Sequence, residues 1–428
     1  MKSPFLPAAA ALCACASAGS QTPPPKTSAQ TQQLSPADAK PFVARVNDDL
    51  KRLFTESSTA DWIKNTYITE DTERNAAAAN ERVLAYQTEA AKTATKFKDL
   101  QLDPDTARML YLLRVGSAVL EDPAKRLEMT SLAARLEGYY GAAKDAKGRD
   151  LEDLSKILDR SHDYGELLDA WTAWHDTARP QRQRYARFVE LQNEGARGAG
   201  FANLGDQWRA AYDMPPEQFE QETDRLWRQV KPLYDDLHCY VRAQLQKTYG
   251  KDKVPDGKPI PAHLLGNMWA QEWTNVYPLV EPFRGVANLD VDGALAAQKW
   301  DATKVAKTGE AFFTSMGLDP LPKTFWERSM LTKPRDRDVV CHASAWDVTF
   351  SDDLRIKMCI RNPPIEENLT TIHHELGHDY YFHAYYKLPV LYQGGANDGF
   401  HEAIGDALTL SMTPSYLKQL GLVSSVQT

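Results

Sequence analysis

The 428-residue chain has only five cysteines, too few for a disulfide framework to replace a packed core. It has no surplus of positive charge. Lysine and arginine total 50 against 58 aspartate and glutamate, a formal charge of −8 that argues against nucleic-acid or anionic-membrane partners. Repeats of fixed period are absent, which sets aside solenoids and propellers. The apolar stretch from Phe5 to Leu12 is too short to span a bilayer, and no transmembrane segment is expected. Strand signals are scarce: Leu354 to Ile360 reads as one strand, with a partner near Val339 to Trp346. What remains is 43% hydrophobic and 10% aromatic, enough apolar material for a large core.

Helical patterning fills most of the chain. Ser35-Pro36-Ala37-Asp38 is a helix-start signal, and apolar residues at helical spacing follow to about Ser57. Further helices are predicted near 70–99, 104–120, 123–140, 150–178, 180–198 and 215–249, with Gly, Pro or Asp at the breaks. The fold class is therefore all-α with a small β-ribbon. Cys341 and Cys359 form the natural disulfide pair that staples this ribbon, and Cys239 is left as a buried small hydrophobe.

The first residues have the form of an export signal: Lys2, the short apolar stretch, and Ala16-Ser17-Ala18 as a cleavage site. Leu12-Cys13-Ala14-Cys15 also matches, imperfectly, a lipoprotein box with Cys15 as the acylated residue. Simple cleavage is the favoured reading, which places the protein outside the cytoplasm, in a periplasm or secreted. Three segments follow: a signal peptide over 1–18, a flexible linker over 19–37, and a helical domain over 38–428. The oligomeric state is not legible.

Chemistry is concentrated near the C-terminal end, in HHELGH (373–378) and GFHEAIGD (399–406). On a helix His374 and His378, four apart, project from one face and can bind one cation. Glu375 can then take a proton from water on that cation, the arrangement of a zinc peptidase. Leu369, Ile372, Leu376 and Tyr380 give this helix an apolar face, while Glu366 and Glu367 suit its first turn. Gly377 inside it implies close packing.

A catalytic zinc takes three protein ligands, and Glu402, on a second helix reached through Gly394-Gly395, is the candidate third. Asp406, one turn on, suits the second ring nitrogen of a ligand histidine. His401 competes with Glu402 but is turned away from it. The competing reading of the whole pattern is a pair of buried helices with hydrogen-bonded histidines. The ribbon preceding the first helix offers a strand edge to an extended peptide, with His342, Ala343 and Ser344 along it. His342 is equally explicable as a structural ribbon residue.

The strings CHASAWD (341–347), HHELGH and GANDGFHEAIGD (395–406) resemble the angiotensin-converting-enzyme family of zinc peptidyl dipeptidases, as does PIPAHLLGNMWAQEW (259–273). Weaker likeness in WIKNTYITEDTE (62–73), YGELLDAWTAWHD (164–176) and GDQWRAAYDMP (205–215) extends it over nearly everything after the linker. The resemblance implies a zincin-like helical ellipsoid with a central channel. It implies one Zn2+ held by His374, His378 and Glu402, with Glu375 as general base and then acid and Asp406 behind the ligands. His342 and the backbone of Ala343 match positions that hold the substrate peptide. Gln271, on a tryptophan-rich helix, matches the glutamine that binds the substrate's C-terminal carboxylate.

The related monocarboxypeptidase has arginine at that position and CHPTAW in its ribbon. Release of dipeptides from oligopeptides is therefore the expected activity, and release of single residues the alternative. The family's catalytic domain continues past the position of Thr428, with further substrate-binding and oxyanion groups and its chloride sites, so none of these is assignable here. The expectation is a shortened domain. Loss of one oxyanion donor typically costs about 100- to 1000-fold in rate, which keeps open a zinc- or peptide-binding fragment with little turnover.

Overall fold

The computed structural model describes residues 34–283 and 289–424, so the expected leader and all but the last few linker residues lie outside the described part. The described residues from Ser35 onward form one compact unit. At its start Ser35 gives both its N–H and its hydroxyl to the Asp38 carboxylate, at 2.8 and 2.6 Å, and opens α1 (Pro36–Thr66). Pro36 and Ala37, the predicted end of the linker, are thus helical. The helix also runs past Ser57, where the pattern had suggested an end. Thr55 and Thr59 bond back to the carbonyls of Lys51 and Thr55, and Ser57 to that of Phe54, so these residues stay in the helix without unmet hydroxyls.

Then come α2 (Glu70–Thr95), α3 (Pro104–Val115) and α4 (Pro123–Ala142), close to the predicted spans, with α1, α2 and α4 packed side by side. The helix expected over 150–178 is two helices, α5 (Leu151–Arg160) and α6 (Tyr164–Ala178). Asp163 breaks it: its carboxylate accepts the Glu166 N–H at 2.9 Å and starts a new N-terminus. Next are α7 (Arg182–Gly198), α8 (Leu204–Ala210) and the long α9 (Pro216–Tyr249). Cys239 is exposed on α9, contrary to expectation. The reason is that this stretch of the helix is uncovered all round: residues 223–237 are exposed on every face, Leu226, Val230, Leu233 and Leu237 among them.

The segment containing Gln271 is not helical either. Gly266 and Ala270 take left-handed φ values of 94° and 59°, and the run between Leu264 and Thr274 is irregular. Short helices α10 (Tyr277–Val280), α11 (Val291–Ala297), α12 (Ala302–Ser315) and α13 (Lys323–Arg328) lead to the ribbon. Its strands are β1 (Ser344–Asp347) and β2 (Leu354–Lys357), antiparallel, with Ser344 opposite Lys357 and Asp347 opposite Leu354. The Cys341–Cys359 disulfide closes it, as predicted.

The last helices, α14 (Glu366–Tyr385), α15 (Asp398–Thr409) and α16 (Pro414–Gln419), complete the described chain. The start of α14 is held by side chains. Asp292 accepts the Glu366 N–H at 2.7 Å, and Asn368 Oδ1 accepts those of Arg361 and Ile365. Leu369, Ile372, Leu376 and Tyr380 form its predicted apolar face. They are buried against Val305 and Phe313 of α12, Phe325 of α13, and Leu354 and Ile356 of β2. Burying one such side chain contributes about 2 kcal/mol. This core fixes α14 rigidly between α12 and the ribbon.

Candidate metal centre

Two helices supply the centre, and glycines set their spacing. A Cβ on Gly377 of α14 would lie 3.0 Å from Gly405 Cα of α15, and one on Gly405 would lie 2.6 Å from His374 Nδ1. Without side chains at these positions, α15 packs directly over the histidine face of α14. Asn397 caps α15 by accepting the Phe400 N–H at 3.1 Å, which sets the phase that turns Glu402 and Asp406 toward α14.

The ligand atoms converge as the spacing predicted. His374, His378 and Glu402 each offer an atom within 4.8 Å of the others. Nε2 of His374 is 3.4 Å and Nε2 of His378 is 3.9 Å from the Glu402 carboxylate, and the two Nε2 atoms are 3.1 Å apart. On their far sides the rings have partners. His374 Nδ1 lies 3.2 Å from Asp406, and His378 Nδ1 lies 3.0 Å from His401 Nδ1. The Asp406 carboxylate requires a proton on His374 Nδ1. The same protonation of His378 Nδ1 lets it donate to His401, whose Nε2 lies 2.7 Å from the Tyr385 hydroxyl.

Both Nε2 lone pairs then point into the same small space beside a carboxylate. That is unfavourable on its own and is relieved by a divalent cation. In a tetrahedral zinc site adjacent nitrogens are about 3.3 Å apart for Zn–N bonds of about 2.0–2.1 Å, so two neutral imidazoles and one carboxylate at these distances fit zinc. His401 is therefore no ligand. It holds the second ligand histidine in its tautomer, a role that helix phase alone did not reveal. The signal available was Tyr385, seven residues and so two turns after His378, which brings a hydroxyl to the same side of α14. Burial, then the neighbouring His378, pulls His401 down to about 4, so it stays neutral. His373, next to the first ligand, faces the other way. It is fully buried and bonded to the Leu369 carbonyl and the Tyr416 hydroxyl.

Glu375 is buried, with its carboxyl pushed up to about 7 by burial and then by the Glu402 charge. Lys357 and the Ala345 amide of β1 act in the opposite direction, so the ribbon runs beside this side chain. His342 and Ala343 lie immediately before β1. His342 is exposed, with Nδ1 2.9 Å from the Ala343 carbonyl. Gln271 is exposed, and no hydrogen bond among the described residues joins it to the cluster. Glu402 and Asp406 are 68% and 76% exposed, so the α15 side of the centre is open to solvent.

H-E-x-x-H on one helix with a glutamate from its neighbour is the donor arrangement of the zinc-peptidase class of sites. The sequence profile of peptidase family M2, described as angiotensin-converting enzyme, matches residues 33–428, and the chain belongs to that family. It is 40% identical over 407 residues to the angiotensin-converting enzyme of Bos taurus, covering 91% of this chain and 31% of that protein. The Sus scrofa enzyme is 41% identical over 409 residues, with the same coverage. That of Oryctolagus cuniculus is 40% identical over 407 residues, covering 91% and 30%. The chain thus spans about a third of the length of the curated relatives it matches.

Proposed function

We propose that the chain carries the metal-binding and proton-transfer groups of a zinc peptidyl dipeptidase that releases dipeptides from the free C-terminus of oligopeptides. The convergence of His374, His378 and Glu402 beside a buried Glu375 carries this reading. Bound there, Zn2+ supplies a Lewis acid that polarises the scissile carbonyl and makes water acidic enough to attack near neutral pH. Glu375 accepts the attacking water's proton on its carboxylate and delivers it to the departing amine. Asp406 and His401 keep the ligand imidazoles in the tautomer that leaves Nε2 free.

His342 and the Ala343 backbone are assigned to the substrate peptide by their match to the family pattern and by the passage of the ribbon beside Glu375. Gln271 is assigned to the terminal carboxylate on the family pattern alone. Its exposure in an irregular segment leaves its side chain free to reach a ligand. Chloride has no residue to which it can be assigned. An exported location is supported by the leader-like first residues and by the disulfide. No described helix is long and apolar enough to cross a membrane.

The test is zinc stoichiometry measured beside hydrolysis of an N-blocked tripeptide. The expected result is one zinc per chain and release of the C-terminal dipeptide. Glu375→Gln should keep the zinc and lower turnover by about 100-fold or more. Release of single amino acids would replace this reading with a monocarboxypeptidase. Stoichiometric zinc without cleavage, unchanged by Glu375→Gln, would replace it with a binding fragment.

A further inference from the structure

The ribbon contains a buried cation that the mechanism above does not use. Lys357, the last residue of β2, is 2% exposed. Its ammonium donates to the Val340 carbonyl at 3.0 Å and to the His342 carbonyl at 2.6 Å. These two carbonyls flank Cys341, which the disulfide ties to Cys359. On its other side the Val340 N–H donates to the Asn65 carbonyl near the end of α1, at 2.9 Å. The outer edge of β2 is already occupied, since Met330 pairs with it through Ile356 and Met358. The 340–343 segment is therefore held by α1, the disulfide and the ammonium.

A lysine in this place is an expensive way to fill space. Burial pulls it down to about 8, and an apolar side chain of the same length would pack without that cost. What an apolar chain cannot do is orient two carbonyls. The peptide bond is planar and trans, so fixing the His342 carbonyl toward Lys357 directs the Ala343 N–H to the opposite side. We propose that Lys357 is a positioning residue that sets the His342–Ala343 peptide plane and so presents the Ala343 edge to the substrate backbone. This rests on the assignment of Ala343 to substrate binding.

Lys357→Met tests it in the full chain. Zinc stoichiometry should be unchanged and thermal stability equal or higher, because a buried charge is removed. KM for the N-blocked tripeptide should rise by about tenfold, with a smaller change in kcat because the Lys357 charge also acts on Glu375. Lys357→Gln, which keeps an amide donor, should fall between the two and serves in its place if Lys357→Met fails to fold. A folded, zinc-loaded variant with the parent's KM overturns the proposal. If the parent chain binds zinc but releases no product, the peptidase reading fails by itself. The proposal is then read from calorimetric binding of the same tripeptide, expected to weaken about tenfold in Lys357→Met and overturned by equal affinity. A parent that neither cleaves nor binds the tripeptide overturns both.

Discussion

Asp379 is buried completely on α14, and neither of its carboxylate oxygens meets a hydrogen-bond donor. Burial, then the charges of Glu375 and Asp347, holds its carboxyl well above the usual range. The Trp346 amide acts in the opposite direction. A raised folded-state value means that stability from this group is full at low pH and is lost as pH rises from about 4 toward and through the folded value. Asp379→Asn should therefore melt higher than the parent, by a margin that widens between pH 4 and 7 in thermal unfolding. Lys357 has the opposite sign. Its value of about 8 against 10.5 means that the unfolded chain holds more protons in that window, so this group adds stability as pH rises from 8 to 10.5. The whole gain is about 3 kcal/mol, of which roughly 2 kcal/mol falls between pH 8 and 10, and Lys357→Met should lack it in denaturant titrations at those two pH values. Both residues are ordinary letters in the sequence. Asp379 directly follows HHELGH, ahead of Tyr380 and Tyr381, and Lys357 alternates with apolar neighbours in LRIKMCI; only the structure shows that each is sealed from water.

At the scale of elements, the crossing of α14 and α15 decides whether three ligands meet. Gly405→Ala improves intrinsic helix propensity by about 1 kcal/mol, yet its Cβ would fall 2.6 Å from His374 Nδ1. Zinc affinity should fall by roughly 10- to 100-fold, as when partners behind a ligand are disturbed, with helix content unchanged by circular dichroism. Competition with a chromogenic chelator measures this. The ribbon has its own fastener: the Cys341–Cys359 bond closes a loop of sequence separation 18. Paired Cys→Ser changes should cost about 3 kcal/mol in denaturant unfolding. The α14 helix, its core face and the Gly377 contact were legible because period and composition both record them. The break at 161–163, the extension of α1 and the irregular run around Gln271 were not. They depend on side-chain hydrogen bonds and left-handed residues that leave no apolar periodicity.

Among the described elements, α14 is the common member: its apolar face completes the core with α12 and the ribbon, and its polar face carries the two histidines of the candidate metal centre. Metal binding is then coupled to global stability. Zinc at 100 times its dissociation constant should add about 2.7 kcal/mol. Stripping it with a chelator should lower Tm, and adding zinc should restore it, as calorimetric melting can follow. Glu402→Ala should lose most of this response, since it removes one of three ligands and leaves the core face untouched.

Local covalent order was sufficient for one part of this protein. Residues three and four apart on a helix share a face whatever surrounds them, so the sequence alone determined the histidine pair, the neighbouring Glu375 and the helix they ride on. The disulfide pairing and the small ribbon were equally local. What only the tertiary structure decided was every contact between segments distant in sequence or between faces that helix phase does not specify. His401 became the support of His378, Lys357 became the tie on the Val340 and His342 carbonyls, and Asp379 became a sealed acid. Burial and orientation at those positions are properties of packed neighbours, and no residue carries them in its own identity.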